Sequence, residues 1–283
     1  MRLFLIRHAE SEHNVAQVYA GTTDSALTNH GMLQIQRLAL HFKAQGVAFN
    51  TVFSSDLLRA RTTAEGICGL SSGGEQDGES HALQPIILPL LREKDFGALE
   101  GKSWLATREG GADFVSGMAG EPESLASVAS RVDSFLSCHL LPVLRDAGHT
   151  AQAVAIVSHG ILLSALWEAL SQLFLSKHVV LAPGVKAVKR ISQWSNTGYL
   201  ELAIGKLDEA LSTPAPTKGG DQAQENIENH SARNRPLHDY AITILTINGR
   251  HHLSNLRRTP GVGSSKHDAK QLQIDNFFQK PKN

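Results

Sequence analysis

The chain has 283 residues, 41% hydrophobic and 19% charged, with 27 basic and 27 acidic side chains and a formal net charge of zero. That length suits one large α/β domain or two small ones, and the apolar fraction excludes wholesale disorder. Neutrality argues against binding nucleic acid through bulk charge, yet it hides an asymmetry. Residues 250–283 carry Arg250, Arg257, Arg258, Lys266, Lys270, Lys280 and Lys282 against Asp268 and Asp275, a balance of +5, which leaves −5 for the first 249 residues.

The opening apolar run, 3–6, is too short for a signal peptide and is flanked by Arg2 and Arg7. No stretch approaches the roughly 20 apolar residues of a membrane span. Cys68 and Cys138 lie in apolar surroundings, which predicts two buried thiols rather than a disulfide scaffold, and no CxxC pair supports a structural zinc site. The expectation is a soluble intracellular protein, cytoplasmic, nuclear or both.

Short runs rich in β-branched and aromatic residues predict strands at 3–6, 47–53, 84–88, 153–157, 199–204 and 241–247. Helical spacing falls between them. Met32, Ile35, Leu38, Ala39 and Phe42 keep one apolar face, with Thr28 as N-cap, and segments 57–67, 124–144 and 162–174 repeat the pattern. Such alternation predicts an α/β fold with a mainly parallel sheet. Residues 71–80 read as a loop. The polar stretch at about 206–238 predicts a disordered insertion. Asn248-Gly249 predicts a hairpin closing the domain at about 240–256. Residues 257–270 read as a flexible basic linker.

Four short patterns carry chemistry. The first strand ends in Arg7-His8-Ala9-Glu10, followed by Asn14; the second runs into Ser54-Ser55-Asp56-Leu57-Leu58-Arg59-Ala60-Arg61-Thr62-Thr63-Ala64. Leu91-Arg92-Glu93 leads into Gly97 and Glu100-Gly101, and the strand at 153–157 ends in Ser158-His159-Gly160. In open α/β sheets the carboxyl ends of strands are where ligands bind. Each pattern alone has a plain reading as turn, cap or surface decoration. Taken in order, and with Asp24, Leu27, Thr28, Gly31 and Gln34 as a fifth pattern, they resemble the histidine phosphatase superfamily, the phosphoglycerate-mutase-like fold. The resemblance covers residues 1 to about 204 and the segment 240–256. It implies a three-layer α/β/α sandwich and a histidine phosphatase domain spanning 1–256.

The resemblance also implies roles. His8 is the nucleophile that forms a phosphohistidine, and Glu93 is the proton donor. Arg7, Arg59 and His159, with Asn14, bind the phosphoryl oxygens. A phosphate dianion suits such a cradle, because guanidinium forks hold two oxygens each and stay charged. No metal or other cofactor is implied, since the arginines and histidines supply the positive charge. Ala9 stands where Gly is commoner, and Thr22-Thr23 precede Asp24 where many members have an aromatic, which points to a different substrate rim. Glu123-Ser124 reads as a helix cap. The family's mutases have Glu-Arg-His-Tyr-Gly where this chain has Glu93-Lys94-Asp95-Phe96-Gly97, which looks like the phosphatase branch and implies hydrolysis of a small phosphomonoester. The alternatives are a mutase of the same fold and a catalytically weak adaptor that binds phosphorylated ligands.

The tail carries a separate pattern. Gln271, Ile274, Phe277 and Phe278 are spaced as in the peptides that dock on the sliding clamp, proliferating cell nuclear antigen. The resemblance spans 271–278, with 279–283 a basic end. It implies a single helical turn that presents Ile274, Phe277 and Phe278 as an apolar plug while Gln271 hydrogen-bonds beside it. The competing reading folds the two aromatics onto the protein's own core; adjacent aromatics on a loose tail favour a partner. Neither direct nucleic-acid binding nor membrane association is expected.

Overall fold

The computed structural model describes residues 1–71, 83–106, 120–146, 152–186, 191, 193–207 and 236–268. The docking pattern Gln271, Ile274, Phe277 and Phe278 lies outside these residues, as do 72–82 and 208–235, most of the two polar stretches.

Seven strands form one sheet: β1 (Arg2–Arg7), β2 (Thr51–Ser54), β3 (Ile86–Ile87), β4 (Ala153–Ser158), β5 (Val179–Leu181), β6 (Tyr199–Lys206) and β7 (Tyr240–Gly249), in the order β3-β2-β4-β1-β6-β7-β5. β3, β2, β4 and β1 run parallel, β6 is antiparallel to both β1 and β7, and β5 is parallel to β7. The sheet is mostly parallel, and β6 alone reverses direction.

Alternation along the central strands divides the core into two layers. Phe4 and Ile6 of β1, with Ala155 and Val157 of β4, face α2 (Asn29–Ala44) and α3 (Leu58–Ser71), and pack on Leu38, Phe42, Ala64 and Ile67. Leu3, Leu5, Val154 and Ile156 face the other way, toward α4 (Leu125–Phe135), α5 (Leu141–Asp146) and α6 (Gly160–Gln172). This is the three-layer α/β/α arrangement. Thr28 caps α2 by accepting the Gly31 N–H, and Ser124 caps α4 by accepting that of Ser127.

Several elements depart from the sequence expectations. The segment 124–144 is not one helix: α4 passes into a π turn at Leu136–Leu140, where the Leu141 N–H reaches Leu136 O, before α5 begins. Pro142 accounts for this, because it has no N–H to offer the preceding turn and its ring crowds the carbonyl four residues back. Cys68 is buried but Cys138 is exposed, so only one thiol belongs to the core. β5 and the short helix α1 (Glu12–Ala16) carried no periodic signal of their own.

The two ends of the polar insertion are tied together: Leu207 N donates to Asp239 O, and Leu237 is fully buried. The hairpin expected at 240–256 is replaced by pairing of β7 with β6. Asn248 does adopt a positive φ of 48°, but its side chain binds the Ser195 backbone N–H, and residues His251–Leu253 form a 3-10 turn packed on α2. The stretch read as linker is also held. Arg258 pairs with Glu10, His267 N donates to Leu27 O, and the His267 ring bonds to Asn29 Oδ1. Small and charged composition looked loose in sequence, yet the backbone at Val262, Ser265 and His267 bonds to Leu27 and Asn29 at the start of α2.

Candidate active site

The register of β1 on β4 sets Arg7 opposite Ser158, so His8 and His159 leave the sheet side by side with ring centroids 5.0 Å apart. Arg59 comes from the first turn of α3, Asn14 from α1, and Glu93 from the loop after the 3-10 turn Pro89–Leu91. Arg7, His8, Asn14, Arg59, Glu93 and His159 all line one cavity of about 1080 Å³. The six residues singled out in the body of the sequence are thus gathered at one end of the sheet.

His8 is oriented by its own neighbour. Its Nδ1 lies 2.7 Å from the Ala9 carbonyl, which only accepts, so Nδ1 carries the proton and Nε2 holds a lone pair. Burial, and then the Arg59 and Arg7 charges, push the His8 pKa well below the usual imidazole value, against the opposing effect of the Ala9 hydrogen bond. His159 is pushed the same way by burial and by Arg59, His8 and Arg7. Both rings are therefore neutral at neutral pH, and the site's positive charge resides on the guanidiniums. Burial also lowers Arg59, to about 10, which leaves it charged.

The arginines are tethered rather than loose. Arg7 Nη1 donates to Trp194 O at 2.5 Å, while Arg59 donates from Nη1 to Thr23 O and from Nη2 to Gly21 O, at 2.9 and 2.7 Å. Part of each fork is thus spent on backbone. The Nε atoms of Arg7 and Arg59 and both ring nitrogens of His159 are buried without a protein partner. Such atoms are rare, and these four belong to three residues that line the cavity. Glu93 is held by three N–H groups: Oε2 accepts from Ile161 at 3.1 Å, and Oε1 from Leu162 and Lys94 at 3.1 and 2.9 Å. Two of these belong to the first turn of α6, a natural seat for a carboxylate.

Supporting residues escaped the sequence reading. Asn196 Nδ2 donates to His8 O and to Asn14 Oδ1, at 3.1 and 2.9 Å, so the Asn14 oxygen is occupied and its amide nitrogen is left to the cavity. The Thr197 N–H reaches the carbonyls of Arg7 and His8, with Thr197 at φ 56°, an uncommon conformation for a β-branched residue. Asn196-Thr197-Gly198 just before a strand was the available signal. Glu100 gathers the N–H groups and hydroxyls of Thr22 and Thr23, the loop whose carbonyls hold Arg59. Gly21 must be glycine there: its φ is 39°, and a Cβ would stand 2.0 Å from Glu100 Oε1. Arg131 of α4 grips the Glu123 carboxylate and donates to the carbonyls of Leu90 and Arg92, fixing the loop that bears Glu93.

Residues 3–202 match the description "Histidine phosphatase superfamily (branch 1)". The chain belongs to this superfamily. Within it, the chain is 28% identical over 277 residues to the probable phosphatase C1620.13 of Schizosaccharomyces pombe, covering 98% of this chain and 79% of that protein. It is 33% identical over 220 residues to a 2,3-bisphosphoglycerate-dependent phosphoglycerate mutase of Bartonella quintana, covering 75% of this chain and 95% of that enzyme. Among solved structures, mycobacterial hydrolase 2 shares the fold at a TM-score of 0.55 and 19% identity, covering 88% of this chain and 90% of the other. A mycobacterial glucosyl-3-phosphoglycerate phosphatase complexed with VO3 does so at 0.53 and 22%, covering 72% and 91%. Superfamily relatives therefore include both phosphatases and phosphoglycerate mutases.

Proposed function

We propose that this protein hydrolyses phosphomonoesters through a phosphohistidine on His8. The observation that carries the reading is the state of His8: a neutral imidazole with Nδ1–H bound to Ala9 O, Nε2 free to attack, and the buried guanidiniums of Arg7 and Arg59 beside it. In the first step Nε2 forms a bond to phosphorus, the P–O bond to the alcohol breaks, and Glu93 protonates the leaving oxygen. In the second, water attacks phosphorus while the Glu93 carboxylate takes its proton, the P–N bond breaks, and phosphate and His8 are released. Arg7, Arg59, His159 and Asn14 donate to the phosphoryl oxygens, where charge concentrates in the transition state.

Rapid acid-free quenching after mixing with a ³²P-labelled phosphomonoester should trap an acid-labile, base-stable phosphoenzyme that His8→Ala abolishes. A labelled His8→Ala protein would overturn the assignment. Hydrolysis rather than mutase chemistry rests on Glu93-Lys94-Asp95-Phe96-Gly97. Incubation with 3-phosphoglycerate and a bisphosphoglycerate primer should give no efficient formation of 2-phosphoglycerate; its efficient formation without phosphate release would reassign the chain as a mutase.

The tail supports a second part of the proposal, tethering to the sliding clamp through Gln271, Ile274, Phe277 and Phe278. The full chain should bind purified clamp in calorimetry, and Phe277→Ala/Phe278→Ala should remove that binding. Equal binding by both proteins would retire the tether.

A further inference from the structure

The phosphoryl cradle takes up only one end of the cavity. Beyond it, the wall is built from a different kind of surface. Tyr19 and Phe96 stand with ring centroids 4.6 Å apart, and Trp104 lines the cavity beside them. Leu125 of α4 and Ile161 of α6 add aliphatic surface to the same lining, which also includes the buried Val128. Trp104 and Leu125 remain 36% and 68% exposed. Large apolar side chains left at the mouth of a pocket mark where a ligand's apolar part is desolvated.

Charge points the same way. Among the described lining residues, the side-chain cations are Arg7 and Arg59, both at the phosphoryl end. The lining also includes Asp133 of α4. Lys94 holds its Nζ over the Phe96 ring at 5.8 Å and is not among the lining residues. A second phosphate or a carboxylate on the substrate would meet aromatic rings and like charge there.

We infer that the site selects monoesters whose alcohol part is a bulky, uncharged aromatic or branched apolar group, bearing neither a second phosphate nor a carboxylate. This rests on the phosphatase reading above. It extends that reading from the bond broken to the group released.

The test compares primary-alkyl esters, so that the leaving oxygens are chemically alike: phenethyl phosphate, ethyl phosphate and 3-phosphoglycerate, each with the full chain. Phenethyl phosphate should show kcat/KM at least about tenfold above both others, the increment expected for burying a phenyl ring against this wall. Trp104→Ala and Leu125→Glu, at exposed positions where folding is not at stake, should raise KM for phenethyl phosphate and shrink its preference over ethyl phosphate to about threefold or less. Asp133→Lys should raise turnover of 3-phosphoglycerate relative to phenethyl phosphate. Preference for 3-phosphoglycerate, equal use of all three esters, or rim variants that slow every ester alike would overturn the inference while leaving the phosphatase standing. No phosphate release from any ester, with no label on His8, would overturn both.

Discussion

At the residue scale, the decisive fact is that two histidines sit among guanidiniums without being charged. Burial dominates, and the neighbouring cations add to it, so the folded pKa values of His8 and His159 lie well below those of free imidazole. A nucleophile needs its lone pair, and this environment preserves it in weakly acidic solution. Once the substrate's own second ionisation is divided out, kcat/KM should show no histidine acid limb down to below pH 6, where an ordinary histidine would lose activity near 6.5. An acid limb at 6.5 assigned to His8 by NMR titration would contradict this environment. The proposed nucleophile is marked in the sequence by Arg7-His8, but its tautomer is not: it is set by the Ala9 carbonyl, 2.7 Å from Nδ1, which depends on how the chain turns after β1.

At the element scale, each proposed catalytic group is presented by one element and secured by another. Glu93 sits on a loop, and α4 steadies that loop through Arg131, whose hydrogen bonds also draw the Glu123 pKa down to about 2. Arg131→Ala removes the brace without touching the cavity's phosphoryl end. The expected result is a fall in kcat of about 10- to 100-fold on alkyl esters, which need a placed proton donor, and a much smaller fall on p-nitrophenyl phosphate, whose leaving group does not. Equal losses on both esters would show that Arg131 acts through general folding instead. The spacing of α2, α3 and α6 was readable because an apolar stripe repeats locally. Arg131 and Asn196 were not readable as functional, since the carbonyls that a helix-face arginine and a turn asparagine hold at the site lie 41 and 188 residues away along the chain.

On the scale of the whole molecule, the segment after β7 is part of the body. His252 is buried, its Nε2 bound to Thr197 Oγ1 at 2.9 Å, and burial with the adjoining His41 and His251 lowers its pKa to about 4. The sign of the effect follows: the unfolded chain takes up protons below about 6.5, while folded His252, like His8 and His159, does not until lower pH. Stability is therefore complete above 6.5 and falls as pH drops toward 4, by up to about 1.4 kcal/mol per pH unit for each such histidine. Urea midpoints at pH 7.5, 6 and 5 should trace this decline, and His252→Gln should flatten it; an unchanged slope would remove His252 from the account. Because the contacts of Arg258 and His267 hold the chain as far as 268, the clamp peptide proposed at 271 begins only about 10 Å of extended chain from the start of α2. Any partner it recruits would sit close to that helix.

The opening charge asymmetry also reads differently with the structure in view. Local composition determined the acidic body, the basic end, the alternation of strand and helix, and the residue types able to hold a phosphoryl group, since propensity and periodicity act over a few neighbours. Tertiary structure alone decided that Arg258 of the basic end is paired with buried Glu10 two residues from His8, that β7 pairs with β6 rather than folding on itself, and that the cavity continues over aromatic surface. Those outcomes depend on which distant groups meet at a desolvated site, where an unpaired polar atom or a misplaced charge costs more than any local preference supplies.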